Sequence, residues 1–215
     1  MMQMKQLVFV FLPAIGVAAF AFFIAIIQYE PLYPKTPAAT EKEAVETLIP
    51  ILPDDPVMGD KKAPLTLIAF ADFGCEACRE HMTIIRGLLS EYPKQFKVIW
   101  KGLPVTLIPY SSEWALRYAI CANRQEKFAA FESLAFERSI DLSPASGERL
   151  AAEITLDREK LSECLEDPAL ENYLETTKDI ARLYHIQSVP TYFVANAQVP
   201  TPTTVTEWKQ LLSLE

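Results

Sequence analysis

Two cysteines three positions apart, Cys75 and Cys78, have the clearest chemical potential in this sequence. In such a C-x-x-C pair, the thiolate of one cysteine can attack a disulfide and the other thiol can resolve the mixed disulfide that forms. The same pair is also half of a zinc site, and His81 adds a third potential ligand for copper or zinc. No second C-x-x-C or H-x-H follows, so the pattern favours redox chemistry and keeps metal handling as an alternative.

The residues on either side of the pair predict a strand followed by a helix. Residues 65–71 form a short apolar run, which is typical of a strand buried on both faces. Beyond Cys78, apolar residues recur with helical spacing as far as Tyr92. The free N–H groups and the dipole at a helix start stabilise a thiolate. Cys75 is therefore the candidate nucleophile, and Cys78, one turn later, is the candidate resolving thiol.

Three segments of the sequence together resemble DsbA-like proteins of the thioredoxin superfamily. They are Asp54-Asp55-Pro56-Val57-Met58-Gly59-Asp60, Asp72-Phe73-x-Cys75-x-x-Cys78, and Ser188-Val189-Pro190-Thr191-Tyr192-Phe193-Val194. The resemblance covers about residues 54–213. It implies an α/β, thioredoxin-like fold and a protein thiol-disulfide oxidoreductase. For this activity we expect no organic cofactor and no bound metal.

The resemblance also implies a substrate-binding role for Val189 and Pro190. Proline is tolerated at the start of a strand because it need not donate to the ladder. If the bond before Pro190 is cis, as in the family, the backbone of Val189 lies beside the redox sulfurs and can pair with an extended substrate chain.

A long helical stretch separates the predicted strand at about residues 96–101 from Pro190. Thioredoxin itself has no room for it, whereas a helical insertion at about residues 104–186 is a feature of DsbA-like proteins. The expected helices are Ser112–Asn123, Gln125–Ser139, Glu148–Ile154, Arg158–Glu166 and Ala169–Tyr184, with a final helix near Thr206–Leu214.

The N-terminal segment predicts a membrane anchor. No side chain from Leu7 to Ile27 is charged, and a helix of that length spans roughly 30 Å of hydrocarbon. Lys5 precedes the run, which places the N-terminus in the cytoplasm. We expect a transmembrane signal-anchor helix at 1–28, a Pro-rich stem at 29–53 and the thioredoxin-like domain at 54–215. A cleaved signal peptide ending near Ala21 and a buried core helix are the alternatives.

This topology predicts a single-pass protein of a bacterial inner membrane, with its catalytic domain in the periplasm or another extracytoplasmic space. Its partners would be exported polypeptides with cysteines and a membrane redox partner, either a quinone-linked oxidase or a reducing relay. The sequence leaves the direction of electron flow open. The net charge of −8 argues against nucleic acid as a partner. A binding or chaperone subunit of a membrane assembly is the alternative function.

A second pair of cysteines, Cys121 and Cys164, falls on two predicted helices of the insertion. In an oxidising compartment they could form a structural disulfide. Two buried free thiols and an electron relay are the other readings of this pair.

Two positions depart from the family pattern. Ala69 stands where the family usually has a buried carboxylate that exchanges protons with the resolving thiol, which would leave Lys101 without an internal partner. Glu76 lies beside Cys75, and a neighbouring carboxylate disfavours a thiolate. From this second departure we expect a less oxidising redox potential than that of a typical DsbA.

Overall fold

The computed structural model describes residues 20–24, 48–107, 109–138 and 143–214. The chain divides into two units, Met1–Val45 and Glu46–Glu215. In the first unit residues 20–24 are helical and exposed, and the rest of the predicted anchor at 1–28 and most of the stem at 29–53 lie outside the described residues. Across the four described ranges, no helix has the length and apolar character needed to cross a membrane.

A five-stranded mixed sheet forms the centre of the second unit. Its strands are β1 (Val57–Gly59), β2 (Leu65–Ala71), β3 (Phe96–Gly102), β4 (Thr191–Val194) and β5 (Ala197–Val199). Their order in the sheet is β1-β3-β2-β4-β5. Only the central pair, β2 and β3, is parallel among these strands, and each of the other neighbours is antiparallel.

Seven α-helices accompany this sheet in the part of the second unit that the structure describes. They are α1 (Glu76–Glu91), α2 (Glu113–Arg124), α3 (Phe128–Glu137), α4 (Gly147–Glu153), α5 (Arg158–Glu166), α6 (Pro168–Leu183) and α7 (Val205–Leu211). Helices α2 to α6 lie between β3 and β4, where the helical insertion is predicted. Helix α3 begins later than the predicted Gln125, because Glu126 has a φ of 60° and interrupts the helical path.

Strand β2 is buried on both faces, as its apolar run predicts. Leu67 and Ala69 face a large core that includes α1 and α7, whereas Ile68 and Phe70 face a smaller core that includes Ile180 of α6. Side chains alternate between the two faces of a strand, so the apolar run from Leu67 to Ala71 can supply both cores at once. This packing holds the end of β2, and hence the start of α1, in a fixed position.

An aromatic cluster connects the redox segment to the helical insertion. Phe73, two residues before Cys75, lies 5.1 Å from the Trp100 ring and 5.0 Å from the Phe136 ring, measured between centroids. Its ring is also 5.8 Å from that of Phe131. Aromatic pairs at these distances stabilise a fold by more than the burial of their surface alone would. The insertion therefore contributes directly to holding the loop that carries Cys75.

The expectation that Lys101 lacks an internal partner is wrong. Its Nζ lies 2.6 Å from Oδ2 of Asp55, and both side chains are fully buried. The hydroxyl of Tyr173 donates to the other carboxylate oxygen of Asp55 at 3.0 Å. Asp55 lies just before β1, which pairs with β3 in the sheet. The sequence alone does not reveal this pairing, so the ion pair of Lys101 with Asp55 depends on the tertiary fold.

We expect Asp55→Ala to destabilise the domain strongly, by about 3–5 kcal/mol, because the charge of Lys101 would stay buried without a partner. The free energy of unfolding in urea measures this. Asp179→Ala is the matched control, since it removes an equally simple ion pair with Arg182 in which both side chains are about 70% exposed. Equal stability of the two variants would contradict a structural role for the buried pair.

Candidate functional site

Cys75 caps the N-terminus of helix α1. It has an extended backbone, with φ −94° and ψ 117°, and its Sγ accepts a hydrogen bond from the backbone N–H of Cys78 at 3.2 Å. A serine or aspartate oxygen usually performs this function at a helix start. With sulfur in this place, the free N–H groups of the first turn point at the atom that must carry negative charge.

The pKa of Cys75 falls from an ordinary value of 9.0 to about 7. The largest cause is the hydrogen bond from the Cys78 side chain, and the backbone N–H groups of Cys78 and Ala77 act in the same direction. Partial burial and the charge of Asp72 oppose this change. A large fraction of Cys75 is therefore thiolate at neutral pH, as a nucleophile requires.

Cys78 has the opposite character. Its side chain is fully buried, and its pKa is raised well above the ordinary value. The first cause is the hydrogen bond that its thiol gives to Cys75, and burial adds to it. Both cysteines are free thiols in this structure. The site thus has one half-buried sulfur that ionises easily and one enclosed sulfur that keeps its proton.

The loop before β4 lies directly against the first of these sulfurs. The peptide bond between Val189 and Pro190 is cis, as the family resemblance implies. In its protonated form, Cys75 directs its Sγ at the carbonyl oxygen of Val189, at 3.7 Å. The structure therefore brings Cys75 and Cys78 together with Val189 and Pro190. More than a hundred positions separate these two predicted pairs in the sequence.

Asp72 is a residue of the site that the sequence analysis treated only as part of a motif. One oxygen of its buried carboxylate accepts the N–H of Gly74 at 3.1 Å. The other accepts the N–H groups of Val105 and Thr106, at 3.0 and 2.7 Å. Gly74 is required at this contact because an added Cβ would lie 2.6 Å from the Thr106 side chain. Asp72 thus ties the loop after β3 to the loop that carries Cys75.

Aromatic rings pack around His81, which lies one helical turn after Cys78 on α1. Tyr192 is fully buried and stacks on His81 with centroids 5.9 Å apart and an angle of 8° between the rings. Trp208 of α7 meets the Tyr192 ring edge-on at 4.8 Å. Tyr192 is also the β4 partner of Ala69 in β2. The small alanine and the large tyrosine are therefore neighbours at the position where the family has a buried carboxylate.

The remaining predicted residues lie away from this centre or take other roles. Cys121 and Cys164 form a disulfide with an S–S distance of 2.05 Å, which joins α2 to α5 within the insertion. Glu76 is exposed and paired with Arg79, so its charge does not prevent a lowered pKa at Cys75. The carboxylate that opposes the thiolate is Asp72.

The alternative metal site gains no support from the described residues. Among them, no three histidine, cysteine or acidic side chains are placed so that they could hold a metal ion. The His81 ring stacks on Tyr192. Its buried Nδ1 has no hydrogen-bond partner in the described part of the chain.

Comparison with known proteins identifies the family. Residues 52–213 match the family model described as thioredoxin, and this range is more than half of the chain. The chain belongs to the thioredoxin family. The predicted membership of the thioredoxin superfamily and the thioredoxin-like α/β fold are thereby confirmed.

Solved structures with a similar fold include DsbA- and ScsC-type members of the thioredoxin family. A thioredoxin-like oxidoreductase from Silicibacter pomeroyi aligns with a TM-score of 0.65 and 24% identity, over 75% of this chain and 92% of that one. BdbD from Bacillus subtilis gives 0.65 and 20%, over 74% and 91%. The catalytic domain of Proteus mirabilis ScsC gives 0.64 and 20%, over 74% and 88%.

Curated relatives of this thioredoxin-family chain include much longer proteins. It is 30% identical to a Na⁺/H⁺ antiporter NhaA of Salinispora tropica over 70% of this chain, which is 23% of the antiporter. A second antiporter, from Salinispora arenicola, is 28% identical over the same shares. The chain thus matches about a quarter of the length of these relatives.

The lowered pKa of Cys75 predicts the pH dependence of its alkylation. In the reduced protein, we expect the rate of reaction with iodoacetamide to be half-maximal near pH 7, because only the thiolate reacts. A Cys78→Ala variant should move this midpoint upward, since it removes the largest cause of the lowered pKa. Mass spectrometry of quenched samples measures both rates, and a midpoint near the ordinary cysteine value of 9.0 in the unmodified chain would contradict the assignment.

Proposed function

We propose that this protein is a thiol-disulfide oxidoreductase that acts on polypeptides through Cys75 and Cys78. One observation carries the proposal. The sulfur at the start of α1 has a pKa of about 7 and lies 3.7 Å from the carbonyl of Val189, while the second sulfur is buried one turn behind it. A reactive thiolate, a protected resolving thiol and a nearby backbone acceptor are the parts that disulfide exchange requires.

The exchange reaction follows from the difference between the two sulfurs. In the reducing direction, the Cys75 thiolate attacks a substrate disulfide, forms a mixed disulfide and releases one substrate thiolate. Cys78 then loses its proton and attacks Cys75, which forms the Cys75–Cys78 disulfide and releases the second substrate thiolate. In the oxidising direction the same steps run in reverse. The redox partner therefore determines the direction.

The surroundings of Cys75 suit an extended polypeptide as substrate. Val189 can accept a backbone hydrogen bond from a chain that lies across the site. Val105 and Leu107 are 49% and 70% exposed and flank Thr106, whose side chain lies against Gly74, next to Cys75 in the chain. Exposed apolar side chains on a loop that contacts the redox segment favour unfolded or partly folded substrates over compact ones.

The proposed location is the outer face of a bacterial inner membrane, with a single anchor near the N-terminus. The uncharged run from Leu7 to Ile27 and the preceding Lys5 support this topology. The disulfide between Cys121 and Cys164 supports an oxidising compartment. The partners would be exported polypeptides with cysteines and a membrane redox partner, either a quinone-linked oxidase or a reducing relay.

A second candidate function is a binding module that associates with a membrane protein. The similarity to a quarter of the length of Na⁺/H⁺ antiporters favours it, because those proteins combine a related sequence with a transport protein. A Cys75→Ser variant distinguishes the two candidates. Retention of full biological activity would favour binding, and loss of activity in a folded protein would favour redox exchange.

Substrate trapping tests the proposed exchange reaction. We expect Cys78→Ala, expressed in the native membrane, to accumulate mixed disulfides through Cys75, because the resolving thiol is absent. Non-reducing electrophoresis and mass spectrometry of the adducts measure this. The double variant Cys75→Ser with Cys78→Ala is the control and should give none. Equal adducts in both variants, or none in either, would refute the proposal.

The redox potential gives an independent test of how the site is tuned. A pKa near 7 is close to that of the thioredoxin nucleophile, at about 7, and far from that of DsbA, at about 3.5. A thiolate of higher pKa stabilises the reduced form less than the DsbA thiolate does. We therefore expect a redox potential nearer to that of thioredoxin, about −270 mV, than to that of DsbA, about −120 mV. Titration against dithiothreitol and glutathione buffers measures it. A value at the oxidising end would show that groups beyond the helix start control the pair.

A further inference from the structure

Tyr192 has a buried hydroxyl group that the fold does not explain. The residue is fully buried, and its phenolic oxygen has no hydrogen-bond partner among the described residues. A buried polar group without a partner is costly, and phenylalanine would fill the same space without that cost. The hydroxyl group is therefore available to a partner that forms at some stage of the reaction.

The neighbours of Tyr192 are the elements that hold the resolving cysteine. It belongs to the core cluster that contains Cys78, and its β2 partner in the sheet is Ala69. Its ring stacks on His81, which lies one helical turn after Cys78 on α1. The Trp208 ring packs edge-on against the Tyr192 ring. These contacts hold the ring close enough to the enclosed sulfur for negative charge on Cys78 to act on the phenol.

The phenol can act as a hydrogen-bond donor but not as an acid. Burial raises the pKa of Tyr192, and negative charge on Cys78 and then on Cys75 raises it further. It therefore keeps its proton when Cys78 ionises. Two other titratable groups lie near the sulfurs. The carboxylate of Asp72 already accepts three backbone N–H groups, and burial lowers the pKa of His81, whose ring stacks on Tyr192.

We propose that Tyr192 donates a hydrogen bond, through one water molecule, to the sulfur of Cys78 when that sulfur becomes an anion. This inference rests on the proposed exchange reaction. In the resolving step, Cys78 gives its proton to solvent and its thiolate attacks Cys75. The Cys75–Cys78 bond forms, the bond from Cys75 to the substrate breaks, and the substrate sulfur departs as a thiolate. Tyr192 loses no proton and is a positioning residue that lowers the energy of the Cys78 anion.

The variant Tyr192→Phe tests this role, because it removes one oxygen and keeps the ring. Reduced protein is mixed with one equivalent of the aromatic disulfide 5,5′-dithiobis(2-nitrobenzoate). The attack of Cys75 releases a first coloured thiolate, and resolution by Cys78 releases a second. We expect the first phase to stay within about twofold of the unmodified chain. The second should slow about tenfold, in line with the loss of a hydrogen bond to a charged group.

The pH profile separates this role from a purely structural one. Without its donor, Cys78 should ionise at higher pH, so the rise of the second phase with pH should move upward while that of the first phase stays in place. Tyr173→Phe is the matched control, since it removes another buried phenolic oxygen, one that donates to Asp55, and should leave the ratio of the two phases unchanged.

Two other outcomes would overturn the inference, and they differ from each other. If Tyr192→Phe resolves at the unmodified rate at every pH, Tyr192 has no role in the second step although the exchange reaction stands. If the unmodified chain itself releases no second thiolate, Cys78 is not a resolving thiol, and the proposed function fails together with this inference. The first phase reports that the variant is folded, because it depends on the intact start of α1.

Discussion

The hydrogen bond from the Cys78 N–H to the sulfur of Cys75 is the interaction on which the site depends. It makes a sulfur atom the cap of helix α1, at 3.2 Å from the donor. A helix start leaves several N–H groups without partners, and a thiolate satisfies them better than a thiol does. The same contact begins the helix and, after the larger effect of the hydrogen bond from the Cys78 thiol, helps to lower the pKa of Cys75.

This arrangement works only because the surrounding fold treats the two sulfurs differently. Cys75 is half-buried and faces the Val189 carbonyl, whereas Cys78 is fully buried in the core cluster that also contains Tyr192 and Trp208. Hydrogen bonding between the two thiols lowers the pKa of the first and raises that of the second. Asp72 opposes the thiolate but ties together the loops on which the site stands.

The helical insertion is part of the support for this site. Phe73 leads from the strand to Cys75 and packs against rings from both β3 and α3, so movement of the insertion would move the redox loop. Within the insertion, the disulfide between Cys121 and Cys164 joins α2 to α5. On the opposite side of the sheet, the buried pair of Lys101 and Asp55 connects β3 to the segment before β1.

The local sequence determined the strand, the helix start and the nucleophile, since apolar periodicity and the C-x-x-C spacing act within a few residues of one another. It also placed the insertion helices, because each has its own apolar face. It could not pair Asp55 with Lys101, set the phenol of Tyr192 beside Ala69 and Cys78, or identify Asp72 as the tie between two loops. Those contacts join residues distant in the chain, and only the packing of the sheet brings them together. The chain therefore carries its reactive chemistry in a short motif, while the burial and pairing that tune this chemistry belong to the tertiary structure.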